Sequence, residues 1–539
     1  MDNILGMPRD TAIDRRGFLK FAGASAAVAT TGLAGCTGGD GEENGDDPLG
    51  EGENGDLEIV VTQGTFATTL DPQDHNDSPT YNVLDQAYEP LLYRDPEGEI
   101  IEYLATDYEQ VEDDHVRFEL REGVTFHSGD EMTAEDVAYS INRTVDDEVG
   151  IVSPQQDGLS GIESAEADGE YAVDVFSEGA NPAVLANFAS FGRVMQQSWT
   201  EEYDEGDGGI TDDANGTGPY QLAEFEEDVR ATYTAADDYW DADNVGDVTE
   251  VTFEFGAESS TRVNALLAGE TDLITDVPPS ETPRIEDEEG MRFEAIASTR
   301  VIFLVMTNDR APFDSQEFRQ AMNYAVDVEG IIDELLEGFG EQTSQPTLEG
   351  HVGHNPEAEP YPYDPDMAEE LVEESGYAGE EIVLQTPTGR YLGDEEIARA
   401  AASQIDSLEN VSCDLEVRDF GDLTAETLDG DISSSPAFYL IGWGNPTFDA
   451  NYTLVPWFMP GQASQHFEDD EVTELIEASE SEIDEESRET QLQEVNSLLN
   501  ELAPWVYLHQ QYSIYGVSDA IAWEARSDED ILAKDVTSA

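Results

Sequence analysis

The sequence predicts an α/β protein built from two or three lobes. Its 539 residues exceed the length of one ordinary domain, about 100–200 residues, so several hydrophobic cores are expected. Short β-rich runs alternate with amphipathic helical segments along the chain, and no repeat of solenoid period interrupts this alternation. These observations favour lobes in which helices pack on sheets.

Runs of β-branched and other apolar residues bounded by turn residues predict the strands. The segment 162–176 is typical of a hairpin, with Gly169 in its turn. Residues 301–306 form a continuous apolar run, which indicates a strand covered on both faces. Further strands are predicted at 57–62, 251–255 and 272–274.

The helices are indicated by caps and by apolar residues at helical spacing. Thr133 and Asp136 form a capping box, so a helix is expected to begin directly after Thr133. A second helix is predicted at 262–267. Two longer helices bury one face each. Their apolar stripes are Ile397, Ala401, Ile405 and Leu408, and Leu492, Val495, Leu498, Leu499 and Leu502.

The net charge of −101 comes from 123 acidic residues against 22 basic ones, and the only lysines are Lys20 and Lys534. Self-repulsion on this scale destabilises a compact state at low salt, whereas the Debye length falls to about 3 Å in molar salt. The composition therefore predicts a protein of an extreme halophile. The same negative field argues against nucleic acid as a partner.

The N-terminus predicts export and lipid attachment. Arg15 and Arg16 precede a short apolar run, 21–33, that ends in Leu-Ala-Gly-Cys. Residues 1–36 are interpreted as a twin-arginine signal peptide with a lipobox, and Cys36 as the lipidated residue that anchors the protein to the outer face of the cell membrane. The alternative is an arginine pair that precedes an ordinary buried helix by chance. Residues 37–56, rich in Gly, Asp and Glu, favour the first interpretation because they suit a solvated tether.

Motifs for catalysis and for resident cofactors are absent from the sequence. It contains no Walker A loop, no GxSxG elbow and no HExxH pair. His351 and His354 have a spacing of three but no further ligands nearby, so no metal site is predicted. Cys36 and Cys413 offer no disulfide framework. We therefore expect neither an enzyme nor a cofactor.

From about residue 57 to its end, the chain resembles the extracellular solute-binding proteins of the oligopeptide, dipeptide and nickel type. Each matching stretch is weak alone, but together and in order they are specific. The stretches are 69–72 (TLDP), 88–92 (YEPLL), 120–129 (LREGVTFHSG), 133–137 (TAEDV), 216–220 (GTGPY), 238–240 (DYW) and 318–327 (FRQAMNYAVD).

The resemblance implies a type II periplasmic-binding-protein fold with an additional lobe, three lobes in all, and a ligand cleft between the first and third lobes. Lobe II would be the insertion 91–209, and lobe III would comprise 301–504. Lobe I would be discontinuous and would comprise 57–90, 210–300 and 505–539.

The resemblance also implies ligand-binding residues near the segment Gly-Trp at 442–443. Peptide-binding members carry an aspartate three positions after the tryptophan, which pairs with the ligand amino group, but this chain has Pro446 there. A buried ammonium without a counter-charge is costly, so this departure weakens the peptide assignment unless Asp449 or another carboxylate takes the place of that aspartate. Trp443 is expected to form an apolar wall, and Asn445 to supply polar contacts.

Two further residues are candidates for the cleft. Arg390 lies between a predicted strand and helix, and an arginine in so acidic a chain suits a ligand carboxylate. Neutralisation of its neighbour Asp394 is an equal alternative. Phe66 is a candidate by its position after the first strand.

By this resemblance the protein would be the substrate-binding component of an ABC importer. It would act as a monomer that captures a peptide or similar solute and passes it to permease subunits driven by ATPases. Binding of a non-peptide solute, such as an oligosaccharide or a metal chelate, is the main alternative. A lipid-anchored secreted hydrolase and a chemosensory or structural surface protein are more remote ones.

The charge imbalance predicts that stability rises steeply with salt. The midpoint of thermal unfolding, followed by circular dichroism, should increase as NaCl is raised from about 0.1 M to about 1 M and beyond, because repulsion between carboxylates is then screened. A midpoint that does not change over this range would contradict the prediction.

Overall fold

The computed structural model describes residues 57–539 apart from a few short gaps. The gaps are 68, 96–97, 147–148, 150, 152, 205–209, 211, 428–431 and 463. The predicted signal peptide, Cys36 and the tether lie outside the described residues. Within these residues, no helix is both long and apolar enough to cross a membrane.

The strands fall into one large sheet, a smaller sheet of four strands and two short pairs. They are β1 (Leu57–Gln63), β2 (Leu92–Arg94), β3 (Ile100–Glu102), β4 (Ala105–Glu112), β5 (His115–Leu120), β6 (Ile162–Ala167), β7 (Ala172–Ser177), β8 (Tyr220–Glu226), β9 (Arg230–Ala235), β10 (Val248–Phe255), β11 (Leu273–Ile274), β12 (Met291–Met306), β13 (Gly340–Gln342), β14 (Glu380–Thr386), β15 (Val411–Val417), β16 (Phe438–Gly444), β17 (Trp505–Ser518), β18 (Ile521–Ala522) and β19 (Thr537–Ser538).

The helices alternate with these strands, as an α/β fold requires. They are α1 (Ser78–Leu84), α2 (Ala134–Val145), α3 (Val184–Ser190), α4 (Gln197–Asp204), α5 (Ser259–Leu267), α6 (Thr282–Glu286), α7 (Gln316–Ala325), α8 (Val328–Glu334), α9 (Pro365–Ser375), α10 (Asp394–Asp406), α11 (Phe420–Thr427), α12 (Asn451–Phe458), α13 (Asp470–Glu480) and α14 (Glu485–Leu502).

The large sheet is mixed and has the strand order β15-β14-β16-β12-β17-β11-β1-β10-β9-β8, with β13 pairing additionally with β17. β1 runs parallel to β10 and β11, and β14 runs parallel to β15 and β16. β12 is antiparallel to both β16 and β17. The predicted α/β class is confirmed.

The two long strands β12 and β17 connect the two halves of this sheet. Residues 291–297 of β12 pair with 512–518, and residues 301–305 pair with 505–510. The register shifts between these two stretches, so the strands change course around Arg300. Residues at this point face the cavity described below.

The smaller sheet has the order β4-β5-β7-β6 and packs with α2. The helix begins as predicted. The Asp136 carboxylate accepts hydrogen bonds from the Thr133 N–H at 3.0 Å and from its hydroxyl at 2.9 Å. The predicted hairpin is β6 and β7, and Gly169 adopts φ +87° in its turn.

Hydrophobic side chains are buried in separate clusters. One lies within residues 301–508, another within 91–194, and a third combines residues from 59 to 253 with Leu273 and the C-terminal segment. These clusters support the three lobes, whose boundaries remain our proposal. The predicted boundary at 504/505 falls where β17 begins, but Trp505 to Leu508 still pack in the first cluster because β17 crosses between lobes.

Candidate functional site

A cavity of about 630 Å³ lies among the clusters, within the range typical of small-molecule sites. One wall comes from residues 76–94 and the C-terminal residues 526–534. A second wall comes from β16 and the segments around Arg390 and Phe420. Residues 153–156 and 189–193 add a third side.

Basic side chains are concentrated in this cavity, where six acidic side chains accompany them. Six of the 22 basic residues of the chain line it, although the net charge of the protein is −101. These residues are Arg94, Arg193, Arg300, Arg390, Arg526 and Lys534. In so acidic a chain, this enrichment favours a ligand that carries a carboxylate or another anionic group.

Three of the five guanidinium groups already have carboxylate partners at 2.6–2.7 Å. The pairs are Arg193–Asp85, Arg300–Glu529 and Arg526–Asp528. Glu529 shows the strength of this pairing. Burial alone would raise its pKa, but Arg300 and a hydrogen bond from Ser513 hold the pKa of Glu529 below its usual value. These pairs therefore fix the walls rather than offer a free charge.

Arg390 differs from those three, because its guanidinium makes no hydrogen bond or ion pair within the described part of the chain. It lies over the rings of Tyr391 at 4.9 Å and Phe420 at 5.2 Å. Asp394 does not neutralise it. The Asp394 carboxylate accepts backbone N–H groups instead, including that of Arg390 at 2.8 Å. Arg390 is thus partly buried, stacked and available to a ligand.

Trp443 also lines the cavity. It lies within β16, which extends to Gly444 and pairs Trp443 with Val301 of β12. Its Nε1 is buried and has no hydrogen-bond partner within the described residues. The hydroxyl groups of Tyr81 and Tyr93, which line the same cavity, have none either. Such unmet polar atoms suit a ligand or water.

Asn445 and Asp449 are not among the residues that line this cavity. The Asn445 amide donates to the Asp449 carbonyl at 2.9 Å and to the Thr453 hydroxyl at 3.2 Å. The Asp449 carboxylate pairs with Arg488 through two hydrogen bonds of 2.7 and 2.8 Å. The charge of Asp449 is thus already paired with a buried arginine, which argues against its substituting for the missing aspartate. Pro446 itself lines the cavity and contributes no carboxylate there.

Phe66 also lies outside the lining and is 4% exposed. It belongs to the hydrophobic cluster of the first predicted lobe and stacks on Phe225 with ring centroids 5.9 Å apart. Of the five residues expected to bind ligand, the structure brings together Trp443 and Arg390. Whether they bind ligand remains a prediction.

Sequence reasoning missed the C-terminal contribution to the cavity. Lys534 lines the cavity, and its ammonium lies 2.8 Å from the Tyr103 hydroxyl and 4.4 Å from the centre of the Tyr93 ring. The sequence could have pointed to Lys534, because it is the only lysine after residue 20. Asp528, Glu529 and Asp530 were hidden among many other acidic residues.

No group of three or more His, Cys, Asp or Glu side chains suited to a metal ion occurs in the described residues. His354 contacts the carbonyl of Thr347 at 3.0 Å through Nδ1.

Comparison with known proteins identifies the family. The model of the bacterial extracellular solute-binding proteins, family 5, matches residues 99–465, more than half of the chain. The chain belongs to this family. Its members' role as substrate-binding components of ABC importers is accordingly the role of this protein.

Curated relatives include glutathione-binding proteins named GsiB. That of Pectobacterium atrosepticum is 23% identical over 462 residues, which cover 84% of this chain and 88% of the relative. That of Escherichia coli K12 is 24% identical over 409 residues, which cover 74% and 77%. Both relatives are binding proteins by name.

Solved structures match the fold across almost their whole length. Helicobacter pylori DppA in complex with the peptide STSA has a TM-score of 0.78 at 22% identity, covering 89% of this chain and 98% of that one. A Pseudoalteromonas dipeptide-binding protein with Met-Leu has a TM-score of 0.81 at 19% identity, covering 90% and 100%. The type II periplasmic-binding-protein fold is thereby confirmed.

The buried pair Asp449–Arg488 predicts a change in stability without a change in binding. Its side chains are 7% and 6% exposed, so Asp449→Asn should lower the free energy of unfolding by about 3 kcal/mol, because Arg488 loses its counter-charge. Glu395→Gln, which removes the same charge from an exposed pair with Arg399, should cost less than about 1 kcal/mol. Chemical denaturation in molar salt measures both.

A ligand found for the wild type should bind the Asp449→Asn variant with unchanged affinity. If the Asp449→Asn variant keeps its native fold but binds the ligand more weakly, then Asp449 contributes to ligand binding.

Proposed function

We propose that this protein captures a short peptide, or a similar small solute with a free carboxylate, outside the cell and delivers it to an ABC permease. The observation that carries the proposal is the Arg390 guanidinium, which stacks on two aromatic rings in the cavity and makes no ion pair within the described residues. Arginine binds carboxylates through two parallel hydrogen bonds.

The rest of the lining supports the same class of ligand. The rings of Trp443, Tyr81 and Tyr93 offer apolar faces. Their N–H and O–H groups have no hydrogen-bond partner within the described residues and suit the carbonyl groups of a peptide backbone. The glutathione-binding relatives and the structures with bound STSA and Met-Leu concern ligands with free carboxylates. The proposed role is capture without chemistry, so the protein would not act as an enzyme.

The proposed location follows from the N-terminal sequence. Export by residues 1–36, lipid attachment at Cys36 and a tether at 37–56 would hold the binding lobes at the outer face of the cell membrane of a halophile. One lipid chain binds membranes only marginally, so a second chain or the permease would complete the anchoring. The binding protein itself would act as a monomer.

A thermal-shift panel in molar NaCl tests the proposed ligand class. The protein is heated with short peptides, glutathione, oligosaccharides and nickel–histidine, and peptides or glutathione should raise the unfolding midpoint. A ligand at about 100 times its dissociation constant adds about 2.7 kcal/mol of stability. Stabilisation by oligosaccharides or by the nickel chelate alone would refute the peptide assignment.

Arg390→Gln tests the carboxylate contact in any peptide that binds. Affinity should fall about 10- to 100-fold, because a charge-assisted hydrogen bond contributes about 1.5–3 kcal/mol. Arg399→Gln, on the exposed face of α10, is the matched control and should bind normally. Calorimetry with the same peptide after C-terminal amidation completes the test.

Amidation should weaken binding to the wild type but not to Arg390→Gln, because the variant has no carboxylate contact to lose. Equal losses in both proteins would assign the ligand carboxylate to another residue.

A further inference from the structure

Three carboxylates in one part of the cavity lie close to only two guanidinium groups. Arg193 binds Asp85 through two hydrogen bonds of 3.0 and 2.6 Å. Arg526 binds Asp528 in the same way, at 3.0 and 2.6 Å. Both guanidinium groups are therefore already paired with their own aspartates. Asp530 is the third carboxylate of this group, which otherwise consists of these two pairs.

The Asp530 side chain makes no hydrogen bond or ion pair with any residue that the structure describes, although its backbone N–H donates to Asp528 at 3.2 Å. Asp530 is partly buried and lines the cavity. Burial, followed by repulsion from Asp528 and Asp85, raises the pKa of Asp530 well above its usual value, and the two arginines offset this only in part. A carboxylate in this environment lacks a cation.

A second carboxylate of the same cavity provides a contrast. Asp77 also lines the cavity, but it caps α1 and accepts hydrogen bonds from the Thr80 N–H at 3.2 Å and from the Thr80 hydroxyl at 2.9 Å. Its oxygens are therefore at least partly satisfied by the protein. Asp530 has no such role in local structure.

We propose that Asp530 binds the ammonium group of the ligand, so that the cavity selects solutes with both a free amino group and a free carboxylate. This inference rests on the proposed function and narrows its substrate class. Arg390 and Asp530 come from different walls of the cavity, and a zwitterionic solute between them would neutralise both unpaired charges. Neutral sugars would leave both charges unmatched.

The decisive comparison uses a bound peptide and its N-acetylated form. Trialanine, glutathione and the acetylated form of each are titrated calorimetrically into the wild type and the Asp530→Asn variant in molar NaCl. Acetylation should weaken binding to the wild type about 30-fold or more, because it removes the charge that pairs with Asp530. Asp530→Asn should bind the free peptide about as weakly as the wild type binds the acetylated peptide. The variant should no longer discriminate between the free and acetylated forms.

Asp77→Asn is the matched control, because asparagine preserves the helix cap while removing one negative charge from the same cavity. It should keep the preference for the free amino group. A large loss of discrimination in Asp77→Asn together with normal binding by Asp530→Asn would overturn the proposal and assign the ammonium to Asp77. Undiminished wild-type binding of the acetylated peptides would also overturn it.

The two proposals fail in different ways. If neither peptide binds the wild type, the peptide function fails and the assignment of Asp530 fails with it. If the free and acetylated peptides bind the wild type equally well, the peptide function stands and only Asp530 is wrongly assigned. Circular dichroism of each variant confirms that the fold persists, so a loss of binding is not mistaken for unfolding.

Discussion

The pairing of β12 with β17 is the interaction on which the rest of the architecture depends. These antiparallel strands run through both halves of the large sheet, and their register shifts where one half gives way to the other. At that point the Thr299 N–H donates to the Ser527 carbonyl at 2.9 Å, and the Asn445 N–H donates to the Thr299 carbonyl at 3.0 Å. The C-terminal segment and the end of β16 are thus held on opposite sides of the same strand.

This arrangement explains how residues from distant parts of the sequence share one cavity. Arg300 sits beside the register shift and pairs with Glu529, so the strand that joins the two halves also carries a charge that holds the C-terminal wall. Lobe closure in two-domain binding proteins occurs about such connecting strands.

The scarcity of positive charge is the second constraint. With 22 basic residues against 123 acidic ones, each buried arginine has many carboxylates available, and several are committed to structural pairs such as Asp71–Arg143 and Asp449–Arg488. Against this background, Arg390 stands out because it stacks on aromatic rings and pairs with no described acid. Asp530 is the complementary case, a carboxylate whose neighbouring arginines are both engaged. Unpaired charges of both signs in one cavity point to a ligand with both signs.

The sequence by itself determined the α/β class, several of the strands and helices, and the family. These features depend on local periodicity, on helix caps such as Thr133 with Asp136, and on motifs that occur in a fixed order. All of these can be recognised from the sequence alone. Only the tertiary structure decided the site. Asp449 looked free in the sequence, but the fold brings Arg488 against it from a helix 39 positions away. Asp530 looked like one acid among many until the fold placed it in the cavity beside arginines already engaged. Whether a charged group is available to a ligand depends on which distant residues pair with its neighbours, and local sequence does not encode that pairing.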